Sequence, residues 1–224
     1  MVANFTVKLI TKTPEIKQKI VNACYEDIIK KISNPSLVSR IREGVEGILE
    51  EALISQKEYA EMVDNDGILR GELGVVDSKS AMDSLIEDWV KTVRVMVKRP
   101  IIVGNTLKGA ILSITAIYAN YEDVLDKIYA SYVTEKGVVI NWLDWLLTKG
   151  QKILVQKHIS VYRSVGFKTS RTGNTIMRKS KGRGWGVPMI FSGTLNNNFC
   201  TRAIDSAIPK IESLIVTEIN REFT

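Results

Sequence analysis

The spacing of apolar residues along this sequence changes near residue 93, from a spacing typical of helices to one typical of strands. Apolar residues recur every three to four positions over 16–52, on both sides of a break at Asn34-Pro35, and this spacing predicts two successive amphipathic helices. Val93, Val95 and Val97 instead occupy every second position, which is typical of a half-buried strand. A chain that uses both periods is predicted to fold as a mixed helix and strand protein.

Several other segments extend this pattern along the chain. They are a strand at Asn4–Ile10, a helix capped by Asp77 or Ser78, a strand within 107–119, a helix that ends at Lys149-Gly150, a strand within 152–163, and a last helix of about 25 residues that is interrupted or bent near Pro209. The order predicts an α+β fold, in which an antiparallel sheet of about four to five strands packs with helices on one face.

The same reading predicts one domain over residues 1–224. Within it we expect a helical N-terminal region over 1–63 and a sheet-containing core with the long C-terminal helix over 64–224.

Basic residues concentrate in one part of the chain. The formal net charge is +6, yet the segment from Lys149 to Ile204 holds eleven basic residues and no acidic one, which leaves the rest of the chain at −5. Such asymmetry favours a surface presented to a polyanion or to an acidic partner. Solvated lysines on one side of a strand give the same count, so both interpretations stay open.

Three glycines, Gly182, Gly184 and Gly186, stand among these basic residues. Their spacing does not match the phosphate-binding loops that precede a helix, because Pro188 and apolar residues follow. A tight turn between two strands is the favoured interpretation. Trp185 and the neighbouring cations allow passive proximity to DNA phosphates, but no sequence-specific nucleic-acid module is present.

Residue types that carry chemistry are sparse. The single histidine, His158, falls in a strand pattern and is predicted to be structural; Cys24 and Cys200 are predicted to be buried, reduced thiols. Trp142 and Trp145 are expected to pack in a core, with an exposed partner-binding patch as the alternative. Neither a catalytic set nor a metal-ligand pattern is recognisable, so a non-enzymatic protein without cofactor or metal is expected. No apolar run approaches the roughly 18 residues of a membrane span, so no membrane partner is expected.

The C-terminal half contains an ordered set of short motifs. They are Arg171-Thr172-Gly173, then Phe191-Ser192-Gly193-Thr194, then Asn198-Phe199 with Arg202-Ala203. In this order they resemble the C-terminal half of the neck or tail-completion proteins of tailed bacteriophages. Upstream, Leu69–Gly74, Trp89, Val93–Lys98 and Thr134–Leu147 are similar to uncharacterised virion proteins of phages.

The resemblance implies a structural virion protein, assembled in the host cytoplasm. It would form a ring in the neck, as collar or head–tail connector, that joins the DNA-filled head to the tail and lets DNA pass through its lumen. The partners implied are further copies of the chain, six or twelve to a ring, and the neighbouring portal, connector and tail proteins.

Two groups of residues follow from this interpretation. Candidates for a subunit interface or the DNA lumen are Arg171, Arg178, Lys179, Lys181 and Arg183; the positions that match the family motifs are Thr172, Gly173, Gly193, Thr194, Phe199 and Arg202. The alternative is a DNA-associated packaging or accessory protein that binds duplex through the basic 149–204 region.

Overall fold

The chain is a mixed helix and strand protein in a computed structural model that describes residues 13–98, 101–103, 106–108, 111–115, 121–162, 172 and 175–224. The helices are α1 (Thr13–Ile32), α2 (Pro35–Ile54), α3 (Lys57–Val63), α4 (Ile68–Leu73), α5 (Ser78–Val90), α6 (Glu122–Leu125), α7 (Trp142–Thr148) and α8 (Phe199–Phe223). The strands are β1 (Arg94–Lys98), β2 (Ile101–Val103), β3 (Thr106–Lys108), β4 (Ile111–Thr115), β5 (Tyr132–Val133), β6 (Val139–Ile140), β7 (Val155–Tyr162) and β8 (Thr175–Trp185).

The strands of the described residues form four separate sheets of two strands each. β1 pairs with β4, β2 with β3, β5 with β6 and β7 with β8, so the predicted sheet of four to five strands does not occur within the part of the chain that the structure describes. Each strand pairs with a neighbour that is close in sequence, which needs only local loop closure. β1 and β4 lie where strands were predicted, near residue 93 and within 107–119, whereas the predicted strand at Asn4–Ile10 lies outside the described residues.

The predicted helices lie close to their expected positions. α1 and α2 are separated at the Asn34-Pro35 break, and α7 ends just before Gly150, whose φ of +58° is the left-handed conformation that glycine adopts readily. α8 continues through Pro209 as one helix, so it is not interrupted there. No helix of the described segments is both long and apolar enough to cross a lipid bilayer.

The described residues divide into two compact units whose bounds differ from the division at residue 63. The first unit comprises those within 1–42, 94–114 and 215–224, and the second those within 43–93 and 115–214. In the first unit the Arg40 guanidinium lies 2.6 Å from Glu218 and 2.9 Å from Glu222, so α8 is ion-paired to the start of α2. Cys24, in α1, is exposed, which makes its predicted burial wrong.

The hydrophobic core of the second unit is built on the apolar faces of two helices. α5 contributes Met82, Leu85, Ile86 and Trp89, and α7 contributes Trp142, Leu143, Leu146 and Leu147, all of them buried. The Trp89 ring meets Tyr121 and Phe199 edge-on, with centroids 5.6 and 6.1 Å away. This core fixes the start of α8 and the hairpin of β7 and β8, which carry the residues of interest.

Candidate interaction surface on the β7–β8 hairpin

The hairpin of β7 and β8 contains an unusually large bulge. Gln156 pairs with Gly184 and His158 pairs with Lys179. A single β7 residue, Lys157, therefore faces four β8 residues, Ser180–Arg183, which we call the bulge. Lys157 and Gly182 both adopt left-handed φ angles, of 57° and 78°, as expected where a strand accommodates extra residues.

The predicted tight turn at the glycines is thus wrong. β8 runs without interruption from Thr175 to Trp185 and contains Gly182 and Gly184. Gly182 provides the positive φ of the bulge and has open space around it. Gly184 and Gly186 serve close packing: a Cβ on Gly184 would collide with the Ile153 side chain, and one on Gly186 would collide with the Lys152 carbonyl oxygen. These contacts hold the chain before β7 against the end of β8.

Four exposed cations surround the bulge. We call Lys157, Lys179, Lys181 and Arg183 the basic patch; each is exposed, and within the described part of the chain none makes an ion pair or side-chain hydrogen bond. Cations without local partners are available to anions from outside the subunit.

The other predicted interface residues have different positions. Arg178 is half-buried and pairs across the strands with Ile159, on the opposite face from Lys179. Arg171 lies outside the described residues, as does Gly173. The structure therefore brings together three of the five predicted cations and adds Lys157, which the sequence analysis did not select.

An apolar groove adjoins the hairpin in the second unit. Its volume is about 760 Å³, and it is lined by side chains of α4, β5, β6, α7, β7 and β8. Trp145 and Trp185 lie in its wall with ring centroids 5.9 Å apart, and the Trp185 Nε1 donates to Glu72 at 2.9 Å. Trp142 is fully buried, whereas Trp145 is only partly covered, so core packing is confirmed for the first of the two.

His158 lies in strand β7, as expected, and borders the groove. Its Nδ1 is 2.9 Å from the Gln156 carbonyl oxygen. Thr172, one of the family-motif positions, also lines the groove.

The remaining described motif positions meet at the start of α8. The Gly193 amide donates to the Leu146 carbonyl at 3.0 Å, and the Gly193 carbonyl accepts from the Gly150 amide at 2.8 Å. Thr194 closes a short turn with Asn197, and Phe199 is buried against Trp89. The motif is therefore a packing unit that attaches α8 to α7.

Asn198 is the centre of this unit, and the sequence analysis did not select its role. It is fully buried, and its Oδ1 accepts from the amides of Cys200 and Thr201 at 3.0 and 3.1 Å, which caps α8. Its Nδ2 donates to the Tyr121 hydroxyl at 2.8 Å and to the Thr194 carbonyl at 2.9 Å. An asparagine directly before a helical pattern was the available signal.

Arg202, the last motif position, pairs with a buried acid. Its Nη2 lies 2.5 Å from Glu58 Oε1, and Glu58, in α3, is fully buried. Cys200 is also buried, as predicted, and burial raises the pKa of its thiol well above the usual value, with the Glu58 carboxylate adding to the shift. Such a thiol is poorly suited to act as a nucleophile at neutral pH.

In the described segments, no group of three or more His, Cys, Asp or Glu side chains is arranged to hold a metal ion. Comparison of the chain with protein-family models, curated proteins and solved structures gives no match.

Proposed function

We propose that this chain is a non-enzymatic structural protein of a tailed-phage virion, where it forms a ring in the neck between the DNA-filled head and the tail. The observation that carries the proposal is the basic patch: four exposed cations on one hairpin that no described acid neutralises. In a ring of identical subunits, each subunit presents one surface to the next and another to the lumen. Exposed, unpaired cations fit either position.

Charge complementarity between subunits is the first use of this patch. The chain outside Lys149–Ile204 has a net charge of −5, so a head-to-tail contact would place the basic hairpin of one subunit against an acidic surface of the next. The four- to five-stranded sheet expected from the sequence is, on this proposal, completed by strand pairing between subunits, because the strands of a two-stranded sheet each have a free edge.

The second use of the basic patch is contact with the duplex DNA that passes through the ring. If the hairpin faces the lumen, the patch meets phosphates without reading sequence. The same feature favours the alternative function, a DNA-associated packaging or accessory protein that binds duplex through 149–204.

Particle size and copy number test the proposal. The purified chain is sized by native mass spectrometry and imaged by negative-stain microscopy, and its copies are counted in phage particles. Six or twelve subunits of 25.1 kDa give rings of about 150 or 300 kDa. A monomer in solution that is missing from particles would rule the proposal out.

Charge reversal tests the basic patch within that assembly. We expect Lys179→Glu/Lys181→Glu/Arg183→Glu to disrupt the ring. The matched control reverses three exposed lysines of α1, Lys17→Glu/Lys19→Glu/Lys30→Glu, which changes the net charge equally and should leave the ring intact.

Duplex titration separates the DNA-associated protein from a ring that holds the basic patch between its subunits. A DNA-associated protein would bind free duplex with an affinity that falls as salt rises, with a log–log slope of about −0.9 for each phosphate contacted, or roughly −3.6 for four cations. A ring protein that uses the patch between subunits would show no such slope after assembly.

A further inference from the structure

We infer that an exposed apolar turn of one subunit inserts into the apolar groove of the next. The turn is Pro188–Phe191, which follows β8, and the occupant of the groove is therefore a second copy of this chain. The inference rests on the proposed ring, because it names the contact that would hold neighbouring subunits together.

The turn presents two large apolar side chains on a fixed backbone. Met189 is 73% exposed and Ile190 is 63% exposed. The amides of Phe191 and Ser192 both donate to the Pro188 carbonyl, at 2.8 and 2.9 Å, and the Ser192 hydroxyl donates to the Met189 carbonyl at 3.1 Å. Because these bonds fix the backbone, little backbone entropy is lost when the turn docks.

Phe191 anchors the turn to its own subunit. Its ring is buried, with the Lys57 ammonium 5.6 Å from the ring centroid. Met189 and Ile190, by contrast, are exposed, and adjacent exposed apolar side chains of this kind are candidates for a contact site.

The groove has the size and lining to accept such side chains. Its volume of about 760 Å³ lies within the roughly 300–1,000 Å³ of pockets that bury a ligand. The apolar residues that line it include Tyr132, Val138, Ile140, Val155, Ile176 and Met177. Val138 is 55% exposed in the isolated subunit, so apolar surface on the groove side is also uncovered.

The turn and the groove belong to one chain but do not meet within it. None of the residues 188–191 lines the groove of the same subunit, so contact requires another copy. A projecting patch that fits a pocket elsewhere on the same molecule gives a head-to-tail interface, which closes into a ring or grows into a filament.

The charges beside the turn and in the groove lining are complementary, which agrees with insertion of the turn into the groove. The Lys57 ammonium lies beside the turn, over the Phe191 ring. Among the described residues, the groove lining includes Glu72, whose carboxylate also accepts from Trp185, and Glu135, with one lysine, Lys136. Opposite charges at the rim would set the register of the contact.

Cross-linking between copies that carry a new cysteine at different positions tests the contact directly. In a Cys24→Ser background, full-length Met189→Cys and Val138→Cys proteins are mixed and treated with a short bis-maleimide. We expect a heterodimer of about 50 kDa, twice 25.1 kDa. The matched control replaces Val138→Cys with Ile128→Cys, at a position that is 93% exposed and outside the groove, and should give no heterodimer. Equal yields in both mixtures would overturn the inference.

Assembly variants give a second, independent result. Met189→Asp/Ile190→Asp blocks the turn and Val138→Asp/Met177→Asp blocks the groove, so each should be a monomer, whereas Ile128→Asp should assemble normally. Mixing the two blocked proteins leaves one intact turn and one intact groove, so a one-to-one heterodimer should form and grow no further. Circular dichroism checks that each variant is folded.

The two proposals fail in different ways. If wild-type protein forms rings and Met189→Asp/Ile190→Asp forms the same rings, this contact is wrong and the ring stands. If wild-type protein forms no ring in solution or in particles, the proposed function fails whatever the variants do.

Discussion

The Arg202 guanidinium lies 2.5 Å from the carboxylate of Glu58, a residue with no exposed surface. The pair joins α8 to α3, and Arg202 is itself partly exposed, with 36% of its side chain accessible to water. The second oxygen, Glu58 Oε2, has no hydrogen-bond partner among the described residues. Arg202 is thus the main compensation for a buried negative charge.

Loss of Arg202 should destabilise the protein more than neutralisation of Glu58. Arg202→Ala leaves the Glu58 charge buried without its partner, and we expect a loss of about 3 kcal/mol in the free energy of unfolding. Glu58→Gln leaves Arg202 able to reach water, so its loss should be about 1 kcal/mol. Urea denaturation measures both.

The control for this pair is Arg183→Ala, which removes an exposed arginine of the basic patch and should change stability by less than about 0.5 kcal/mol. Equal losses for Arg202→Ala and Glu58→Gln would contradict the proposed dependence on burial.

Asn198 should be sensitive to both apolar and acidic replacement. Asn198→Ala removes the cap of α8 and the hydrogen bond to the Tyr121 hydroxyl, and we expect a loss of about 3 kcal/mol from the cap and the buried polar groups together. Asn198→Asp keeps the capping oxygen but places a charge near the Thr194 carbonyl, so it should not rescue stability at neutral pH. Thermal unfolding reports the effect, and exposed Asn196→Ala is the matched control.

Two glycine-to-alanine substitutions should change the free energy of unfolding in opposite directions. Gly47 lies in the interior of α2 with no atom within 4 Å of an added Cβ, so Gly47→Ala should stabilise the protein by about 0.5–1 kcal/mol. Gly186→Ala would push a methyl group into the Lys152 carbonyl and should cost about 2 kcal/mol. Denaturant midpoints distinguish the two, and a stabilised Gly186→Ala protein would show that the Lys152–Gly186 contact is not as close as described.

Stability should fall at alkaline pH because three tyrosines resist ionisation in the folded state. Burial is the main cause that raises the pKa of Tyr59, Tyr121 and Tyr129 above the ordinary 10.0. The unfolded chain therefore loses these protons first, so their contribution is complete below pH 10 and is lost as the pH rises above it. Unfolding measured at a series of pH values should show this decrease.

The control for the alkaline effect is Tyr129→Phe, which removes one of the three groups. Its unfolding free energy should fall less steeply above pH 10 than that of the wild type. An identical slope would assign the alkaline loss to the other tyrosines or to lysines.

The spacing of apolar residues over stretches of about seven residues predicted the longer helices. The two helices predicted after Asp77 and before Gly150 are observed as α5 and α7, and each contributes one apolar face to the core, because a helix brings positions three and four apart onto one face regardless of the rest of the chain. Cys24 shows the limit of this reasoning: α1 has the expected helical pattern, but which of its side chains is covered depends on what packs against it.

The candidate site was predictable only in part. The concentration of cations between Lys149 and Ile204 is a property of the sequence, and three of the predicted residues do belong to the basic patch. The bulge could not be foreseen, because glycines that permit a turn also permit extra residues within a strand. Only the observed pairing of His158 with Lys179 decides between them.

The sequence by itself determined α1, α2, α5, α7 and α8, the mixed fold class and the segregation of charge, because each depends on the order of residues along a short stretch. The tertiary structure decided which strands pair, where the bulge lies and which contacts fix the start of α8. The Arg202–Glu58 pair joins positions 144 residues apart. This ion pair contributes to stability only after the fold has removed Glu58 from water, and no local sequence pattern predicts that burial.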